Sequence, residues 1–369
     1  MRATYRFVLP RLILVIASAM KRIIWLLRKQ MEYGAVSMGK AKLIVFLLFV
    51  PPMMAELLTG SAPPARFLSP LWLLIFVLLY GCGCLLIREA KVRWNLQWGV
   101  VFLGVAYAIV EEGLTTKAFF NPKWAGVGLL SGYGMYGGVQ WVWTLGVTFA
   151  HATISILVPI TIADHLWPQY RRVAALQRRG VLLALAGISS ITVLGMLSIG
   201  DAEGSETIPF YPHPLLLTGA FACVVLLCWL AYKSRNIIVS TDIVPLLPPS
   251  AFFLLAFLVN PFFLMVPNEM VKNNVPAMTA ILAELAMIAL VLLFGFLQVC
   301  HRKMSARHTT ALVLGFLMPW ILLTPFHEFG MLGQNKTGML PVGIVALIAL
   351  LRWRRAALRS AGELLPATG

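Results

Sequence analysis

The chain has 369 residues and a formal net charge of +16; 60% of the residues are hydrophobic, 12% are charged, and the mean hydropathy is +0.84. Soluble globular domains do not have this composition, which excludes a soluble enzyme or binding module, and apolar runs of membrane-spanning length recur along the whole chain. The sequence therefore predicts an all-α fold, a polytopic transmembrane helix bundle of about ten spans. The predicted spans are 43–59, 68–87, 97–117, 141–163, 180–199, 214–232, 248–266, 275–299, 311–330 and 339–351.

The sequence divides into three parts. Residues 1–42 are basic and their apolar stretches are short, which predicts an amphipathic helix at the membrane interface; a signal peptide, or a later translation start at Met31 or Met38, is the alternative. Residues 43–352 are predicted to form the transmembrane helical domain, and residues 353–369 a short basic cytoplasmic tail.

The basic residues are distributed asymmetrically between the two sides of the predicted bundle. Of the 30 Lys and Arg residues, 25 fall in the N-terminal stretch, on alternate connections and in the tail, whereas five fall on the opposite side. The positive-inside rule then places both termini in the cytoplasm. The expected location is a prokaryotic plasma (inner) membrane. Topology thus accounts for the net charge. The expected partners are the lipid bilayer and a membrane or small-molecule substrate of unknown identity, and no nucleic acid.

The third predicted span contains two adjacent carboxylates, Glu111 and Glu112, in an otherwise apolar run. An ionisable residue at this depth costs several kcal/mol unless it is paired, protonated or hydrated, so the pair of residues is a candidate functional site. Because adjacent residues of an α-helix are about 100° apart, the two carboxylates are expected to point in different directions. A salt bridge to Lys117 or to another span is the structural alternative.

The fourth predicted span carries a polar stripe. Thr144, Thr148, His151 and Ser155 recur at three- and four-residue intervals, which places them on one helix face that must contact protein or water rather than lipid. Packing between helices is the alternative role for the hydroxyl groups. The glycine-rich, aromatic connection 118–140 is expected to lie at the interface or to fold back over the bundle.

Further polar residues lie in or near the outer halves of other predicted spans. The residues expected to support the site are Glu56, Thr148, Ser155, Asn260, Glu284, His327 and Glu328. A shared, water-accessible cavity that opens outward would hold them at lower cost than separate buried charges. For Glu56 and Glu328, a boundary position near the interface is the alternative.

A carboxylate and a histidine in such a cavity fit more than one kind of chemistry. The leading hypothesis is a protease-like intramembrane hydrolase in which Glu111, Glu112 and His151 are the catalytic residues that activate water. A divalent metal held by Glu112 and His151 would serve the same reaction, and the cofactor is otherwise unspecified. The alternatives are a proton- or cation-coupled transporter of small solutes and a membrane scaffold without catalysis.

A block of motifs follows the carboxylate doublet. It consists of Glu-Glu-Gly-Leu at 111–114, Lys117, Phe-Phe-Asn-Pro at 119–122 and Trp124, and it leads through a glycine-rich segment and Trp-x-Trp to the histidine of the next span. In this block, and over about residues 50–170, the chain resembles a group of uncharacterised prokaryotic polytopic membrane proteins. The resemblance implies a membrane fold and brings no known activity with it.

The doublet and the histidine about forty residues later also resemble the CAAX-protease and bacteriocin-processing family of intramembrane glutamic proteases. In that family an Arg follows the second Glu by four residues and a Phe precedes the His by four; these positions hold Thr116 and Val147 here, and the later His-x-x-x-Asn motif is missing. The resemblance implies that Glu111 or Glu112 activates the water and that His151 helps to stabilise the oxyanion.

Overall fold

The computed structural model describes residues 38–203, 206–331 and 336–363. Most of the N-terminal segment predicted to be an interfacial helix, and the end of the predicted tail, lie outside these residues. The described chain is mainly helical and contains two short antiparallel hairpins.

The N-terminal half consists of α-helices that run directly into π-helical segments. In a π-helix the backbone hydrogen bonds join residues i and i+5, so the turn is wider, and such segments occur frequently at functional sites. The elements are α1 (Met38–Pro52), a π segment (Met53–Leu58), α2 (Pro64–Phe67), α3 (Pro70–Phe76), a π segment (Val77–Gly81), α4 (Cys82–Arg93), α5 (Gly99–Ala108), a π segment (Ile109–Thr115), a 3₁₀-helix (Ala125–Leu130), β1 (Met135–Tyr136), β2 (Val139–Gln140), α6 (Trp141–Ala150), a π segment (His151–Leu157), α7 (Val158–Leu166) and a 3₁₀ turn (Pro168–Tyr170).

The C-terminal half contains longer, more regular helices. Its hairpin, formed by β3 and β4, connects the first two of them. The elements are α8 (Arg178–Ser198), β3 (Gly200–Glu203), β4 (Glu206–Pro209), α9 (Pro214–Lys233), α10 (Pro249–Lys272), α11 (Ala277–Phe294), a π segment (Gly295–Val299), α12 (Ala306–Glu328) and α13 (Met339–Ser360).

Eight helices of the described chain are long and apolar enough to cross a membrane. They are Met38–Leu58, Pro70–Arg93, Trp141–Leu166, Arg178–Ser198, Pro214–Lys233, Pro249–Lys272, Ala277–Val299 and Ala306–Glu328. The predicted spans at 97–117 and 339–351 also coincide with helices. The first of these helices, residues 99–115, is shorter than the roughly 20 residues that cross a bilayer. The second, α13, carries several arginines near its end. The predicted all-α polytopic helix bundle is confirmed.

The first helices pack around a core to which α1, α3, α4, α5 and α8 contribute. Gly81 permits a close approach within this core, because a Cβ atom at this position would lie 2.2 Å from the carbonyl oxygen of Leu48. A side chain there would force the helices apart. The glycine therefore lets the π segment Val77–Gly81 lie directly on α1, which brings Tyr80 close to the end of that helix.

A second core joins α7 to α10, α12 and α13. Here Gly315 of α12 lies against α10, and a Cβ atom added to it would be 2.4 Å from the carbonyl oxygen of Phe253. The outward faces of neighbouring helices are apolar: Phe221 on α9 is 60% exposed and Leu282 on α11 is 59% exposed. Faces of this kind are suited to contact with lipid chains.

The connection between the third and fourth predicted spans is folded. β1 and β2 form a hairpin around Gly137 and Gly138, whose φ angles of 59° and 79° match the mirror-image turn that two-residue hairpins favour. Gln140 is buried and donates from Nε2 to the carbonyl oxygens of Ala118 and Asn121, both at 2.9 Å. Residues of the 3₁₀-helix pack against α6 and α11. The connection therefore folds back over one end of the bundle.

Candidate functional site

The candidate site lies where four π-helical segments meet. One segment contributes Glu56, a second Tyr80, a third the carboxylate doublet, and the fourth His151 with Ser155. The fifth π segment, Gly295–Val299, is in another part of the chain and carries Gln298, which bonds to the main chain of residues 245 and 247. The irregular helix geometry is thus concentrated where the ionisable side chains are.

Glu111 and Glu112 converge on the same imidazole ring. His151 Nε2 is hydrogen-bonded to Glu112 Oε1 at 3.2 Å, and His151 Nδ1 lies 3.2 Å from Glu111 Oε2. The two carboxylates reach different atoms of a single residue, because the ring of His151 offers one nitrogen to each of them.

Ser155 orients the imidazole ring. Its Oγ lies 3.1 Å from His151 Nδ1, one turn further along the same helix. Glu111 Oε2, although close to Nδ1, has no hydrogen-bond partner in the described chain and is buried. A buried oxygen without a partner carries a desolvation cost of about 1–3 kcal/mol or more. Glu111 is therefore the acid of this site that is best placed to take up a proton or to bind a cation.

Two tyrosines that the sequence did not assign to the site contribute to it. Tyr80 donates its hydroxyl to Glu56 Oε1 at 2.5 Å, and its ring centroid lies 5.9 Å from that of His151 and 6.1 Å from that of Tyr107. Glu56 also interacts electrostatically with His151 and Glu112. Glu56 therefore lies beside the other ionisable groups of the candidate site, to which Tyr80 connects it. The available sequence signal was a tyrosine inside each of two apolar runs.

We refer to this group of side chains as the Glu–His cluster; it consists of Glu56, Tyr80, Glu111, Glu112 and His151. The cluster contains three carboxyl groups and a single imidazole, so it would carry a net negative charge if all three carboxyl groups were ionised. Buried charges of one sign are costly unless they are neutralised. Protons or a bound cation must therefore balance the cluster.

Lys117 is not the partner of the doublet in this structure. It is buried, and its Nζ donates to the carbonyl oxygens of Met196 at 2.9 Å and Ile199 at 2.6 Å. These carbonyl groups lie at the C-terminal end of α8, where the last main-chain acceptors of a helix lack helical partners. Lys117 thus caps α8, and the salt bridge considered as an alternative is replaced by the pair with His151.

The geometry is compatible with a divalent metal ion. One ligand atom each from Glu111, Glu112 and His151 lie within 4.8 Å of one another, and all three residues are buried. Two ligands of a tetrahedral zinc, each about 2.0–2.1 Å from the metal, are about 3.3 Å apart. The 3.2 Å between Glu112 Oε1 and His151 Nε2 fits this separation as well as it fits a hydrogen bond. Glu111 Oε2 lies at the other ring nitrogen, 3.2 Å from Nδ1, so it would have to shift toward Nε2 to become a further ligand.

The Glu–His cluster is enclosed by protein. Glu111 is 2% exposed, Glu112 8% and His151 9%. The expected outward-opening cavity is therefore not seen at these residues. In such a dry environment, interactions between charges are much stronger than in water.

The remaining predicted residues lie elsewhere in the bundle. Thr148 is half-buried on α6, before His151. Asn260 donates to the Phe316 carbonyl at 2.8 Å, and Glu328 accepts from the Leu340 amide at 3.0 Å. His327 packs against Gly60.

Glu284 is on α11; its side chain is fully buried against α6, where Gly146 is its neighbour. The predicted residues outside the Glu–His cluster thus occupy separate positions in the bundle: Thr148, Asn260, Glu284, His327 and Glu328. The single shared cavity inferred from depth alone is therefore not found in the described part of the chain.

The chain matches a family model of membrane proteins. A search of the curated proteins and a search of the solved structures each returned no match. A family model described as an uncharacterized membrane protein family matches residues 45–326, which include all of the Glu–His cluster. The match supports the first of the two resemblances described above and not the one to the CAAX proteases. The chain belongs to this uncharacterized membrane protein family.

Proposed function

We propose that the protein is an intramembrane hydrolase of glutamic or metal-assisted type. The observation that carries the proposal is the contact of Glu112 Oε1 with His151 Nε2 at 3.2 Å, inside an enclosed cluster of acids. A carboxylate and an imidazole at this separation are within reach of the same water molecule. The substrate is a membrane peptide or a small molecule that enters the bundle from the bilayer.

The chain's own residues supply the elements of such a reaction. Glu112 accepts a proton from the attacking water while the water oxygen bonds to the substrate carbonyl carbon, and the Nε2–H group of His151 stabilises the negative charge on the substrate oxygen. Glu112 then gives the proton to the leaving group as the bond to that group breaks. Ser155 and Glu111 hold the ring from the Nδ1 side, at 3.1 Å and 3.2 Å. A positively charged imidazole formed during the reaction would be stabilised by both carboxylates.

In the metal-assisted form of the proposal, Glu111, Glu112 and His151 hold a divalent cation. The cation would lower the pKa of a bound water toward neutrality and polarise the bond to be broken. Metal analysis of the purified protein distinguishes the two forms. One equivalent of metal that is lost in Glu112→Gln and His151→Gln supports the metal-assisted form. A metal-free, active protein supports the glutamic form.

The hydrolase proposal is tested by comparing membranes that contain wild-type protein or Glu112→Gln. New peptide termini, or new lipid and small-molecule fragments, are expected in mass spectra of the wild-type membranes and not of the variant. Glu269→Gln is the matched control, because Glu269 is an exposed acid on α10 that pairs with Lys272. Identical product profiles for wild type and Glu112→Gln would show that the proposal is wrong.

Proton-coupled transport is the second candidate, and a specific observation favours it. The ionisable groups of the Glu–His cluster follow one another through the bundle: Tyr80 donates to Glu56, the ring of Tyr80 lies 5.9 Å from that of His151, and His151 is hydrogen-bonded to Glu112. Such chains of acids and histidines carry protons in membrane pumps and transporters. Purified protein in liposomes with a pH-sensitive dye tests this function: proton uptake that depends on a solute gradient, and that is lost in Glu56→Gln, supports it over hydrolysis.

A further inference from the structure

Glu284 is a second buried acid, and it lies apart from the Glu–His cluster. It is on α11, about 10 Å from the start of that helix at 1.5 Å per residue, and its side chain is 1% exposed. Neither of its carboxylate oxygens has a hydrogen-bond partner in the described chain. An ionised carboxylate in this position would be among the most costly groups that a membrane protein can bury.

The charged side chains on the helices that pack against α11 do not offset this cost. α6 contains no Asp, Glu, Lys or Arg. On α10, Glu269 and Lys272 pair with each other at 2.6 Å, and both are more than half exposed. Tyr133, from the connection before β1, interacts electrostatically with Glu284, but its hydroxyl donates to the Val275 carbonyl at 2.9 Å. Glu284 is thus surrounded by neutral groups.

A carbonyl oxygen that lacks its α-helical donor lies near Glu284. The carbonyl oxygen of Phe263 on α10 would normally receive a hydrogen bond from the amide four residues later, but that residue is Pro267, which has no N–H. The position of a Cβ atom added to Gly146 is 3.5 Å from Glu284 Oε1 and 3.7 Å from this carbonyl oxygen. The glycine of α6 therefore leaves a small space beside a carboxyl group and a carbonyl group that lacks its helical donor.

We propose that Glu284 is a proton-binding site of the protein, with a protonated carboxyl that donates through a bridging water to the Phe263 carbonyl beside Gly146. A protonated carboxyl is neutral and has a donor, whereas the carbonyl freed by Pro267 is an acceptor that needs one. The site therefore removes two costs at once, that of the buried charge and that of the main-chain oxygen that lacks its helical donor. It is independent of the proposed hydrolase.

The first test uses dicyclohexylcarbodiimide, an apolar reagent that modifies protonated carboxyl groups in apolar surroundings. Full-length protein in detergent micelles is treated near neutral pH, and the modified residues are located by peptide mass mapping. An adduct on Glu284 is expected, with less adduct as the pH is raised and none in Glu284→Gln. Glu269→Gln is the control and is expected to retain the Glu284 adduct. Protection by sodium or potassium at constant pH would overturn the proposal in favour of a cation site.

Infrared difference spectroscopy is the second test and does not depend on reagent access. The carbonyl stretch of a protonated carboxyl group is expected in the wild type and not in Glu284→Gln. In Pro267→Ala the Phe263 carbonyl gains a helical donor, so the Glu284 band is expected to move to higher frequency. Pro261→Ala removes the other proline inside the same helix and is expected to leave the band in place. A spectrum that is the same in wild type and Glu284→Gln would overturn the proposal.

Discussion

The Glu–His cluster and Glu284 are two buried acid sites that the structure treats differently. In the cluster, carboxylates are brought to partners: Glu112 to His151, and Glu56 to the hydroxyl of Tyr80. Glu284 has no such partner in the described chain and lies between apolar helix faces and one freed carbonyl group. The same residue type is thus accommodated by pairing in one region and, in our proposal, by protonation in the other. Substitutions that remove a charge or a partner should therefore act differently at the two sites.

The largest difference is expected in activity. Glu112→Gln should lower the rate of product formation by about 10²–10⁴-fold, because the amide cannot accept the proton of the attacking water. The rate is measured on a product identified from wild-type membranes. Glu284→Gln, the same exchange at the other acid, should leave the rate unchanged. Equal losses in both variants would mean that the two sites work as one.

His151→Ala should cause the largest loss of stability. It leaves the carboxylates of the cluster without their base, and breaking a buried pair typically costs about 3–5 kcal/mol. Chemical denaturation in micelles measures the free energy of unfolding. Ser155→Ala, which removes only the hydrogen bond to Nδ1, should cost about 1 kcal/mol. Equal losses of stability in the two variants would mean that the ion pairs of His151 with Glu111 and Glu112 do not stabilise the fold.

Tyr80→Phe tests the edge of the cluster. It removes the hydrogen bond to Glu56, and a bond to an ionised group contributes about 1.5–3 kcal/mol. Tyr133→Phe is the matched control. The hydroxyl of Tyr133 donates to a neutral carbonyl group, so its removal should lower the free energy of unfolding by about 1 kcal/mol. A smaller loss for Tyr80→Phe than for Tyr133→Phe would indicate that Glu56 is protonated and resembles Glu284.

Lys336 is a half-buried basic residue outside the membrane-spanning helices, and it can be compared with the two buried acid sites. Its Nζ donates to the Gly60 carbonyl at 2.8 Å, and burial lowers the pKa of Lys336 below the ordinary lysine value of about 10.4. Between the two pKa values the unfolded chain holds more protons than the folded protein, so stability should rise with pH in this alkaline range. Lys336→Met should flatten the rise, whereas Lys272→Met, at an exposed position, should not. If stability still rises with pH in Lys336→Met, the deprotonation of other groups causes the rise.

The smallest effect is expected for Glu284→Gln. If the carboxyl is already neutral, replacing it by an amide of nearly the same shape should change the free energy of unfolding by less than about 1 kcal/mol. The measurement is the same denaturation in micelles. A loss of about 3 kcal/mol, as expected for His151→Ala, would mean that Glu284 is ionised and paired.

The sequence predicted the class of fold well, because long apolar runs have few structures available to them in a membrane. Each of the ten predicted spans coincides with a helix, and eight of these helices meet the length and composition of a membrane-crossing segment. The doublet and His151 were singled out by the cost of burying them. Their grouping in one site was predicted, but the contact of both carboxylates with a single imidazole ring was not, because it depends on how two helices are placed relative to each other.

Depth in the membrane was a poor guide to which polar residues belong together. Glu56 and Glu284 were both assigned to one cavity, but Glu56 joins the Glu–His cluster through Tyr80, whereas Glu284 faces Gly146 on another part of the bundle. Which residues share a site depends on how the helices are arranged and rotated around their axes. That arrangement is set by close contacts such as the one at Gly81, and these link residues far apart in the chain.

The sequence by itself determined that this protein is a helical membrane protein with acids and a histidine at costly positions. Backbone hydrogen bonding in lipid and the cost of burying charge are local properties, so they can be read from composition and from the order of residues. Only the tertiary structure decided that His151 lies between Glu111 and Glu112 and that Lys117 caps α8 rather than pairing with the doublet. It also decided that the Glu284 carboxylate has no hydrogen-bond partner in the described chain. Those outcomes depend on packing between distant helices and on local widening of the helical turn, which the sequence pattern does not specify.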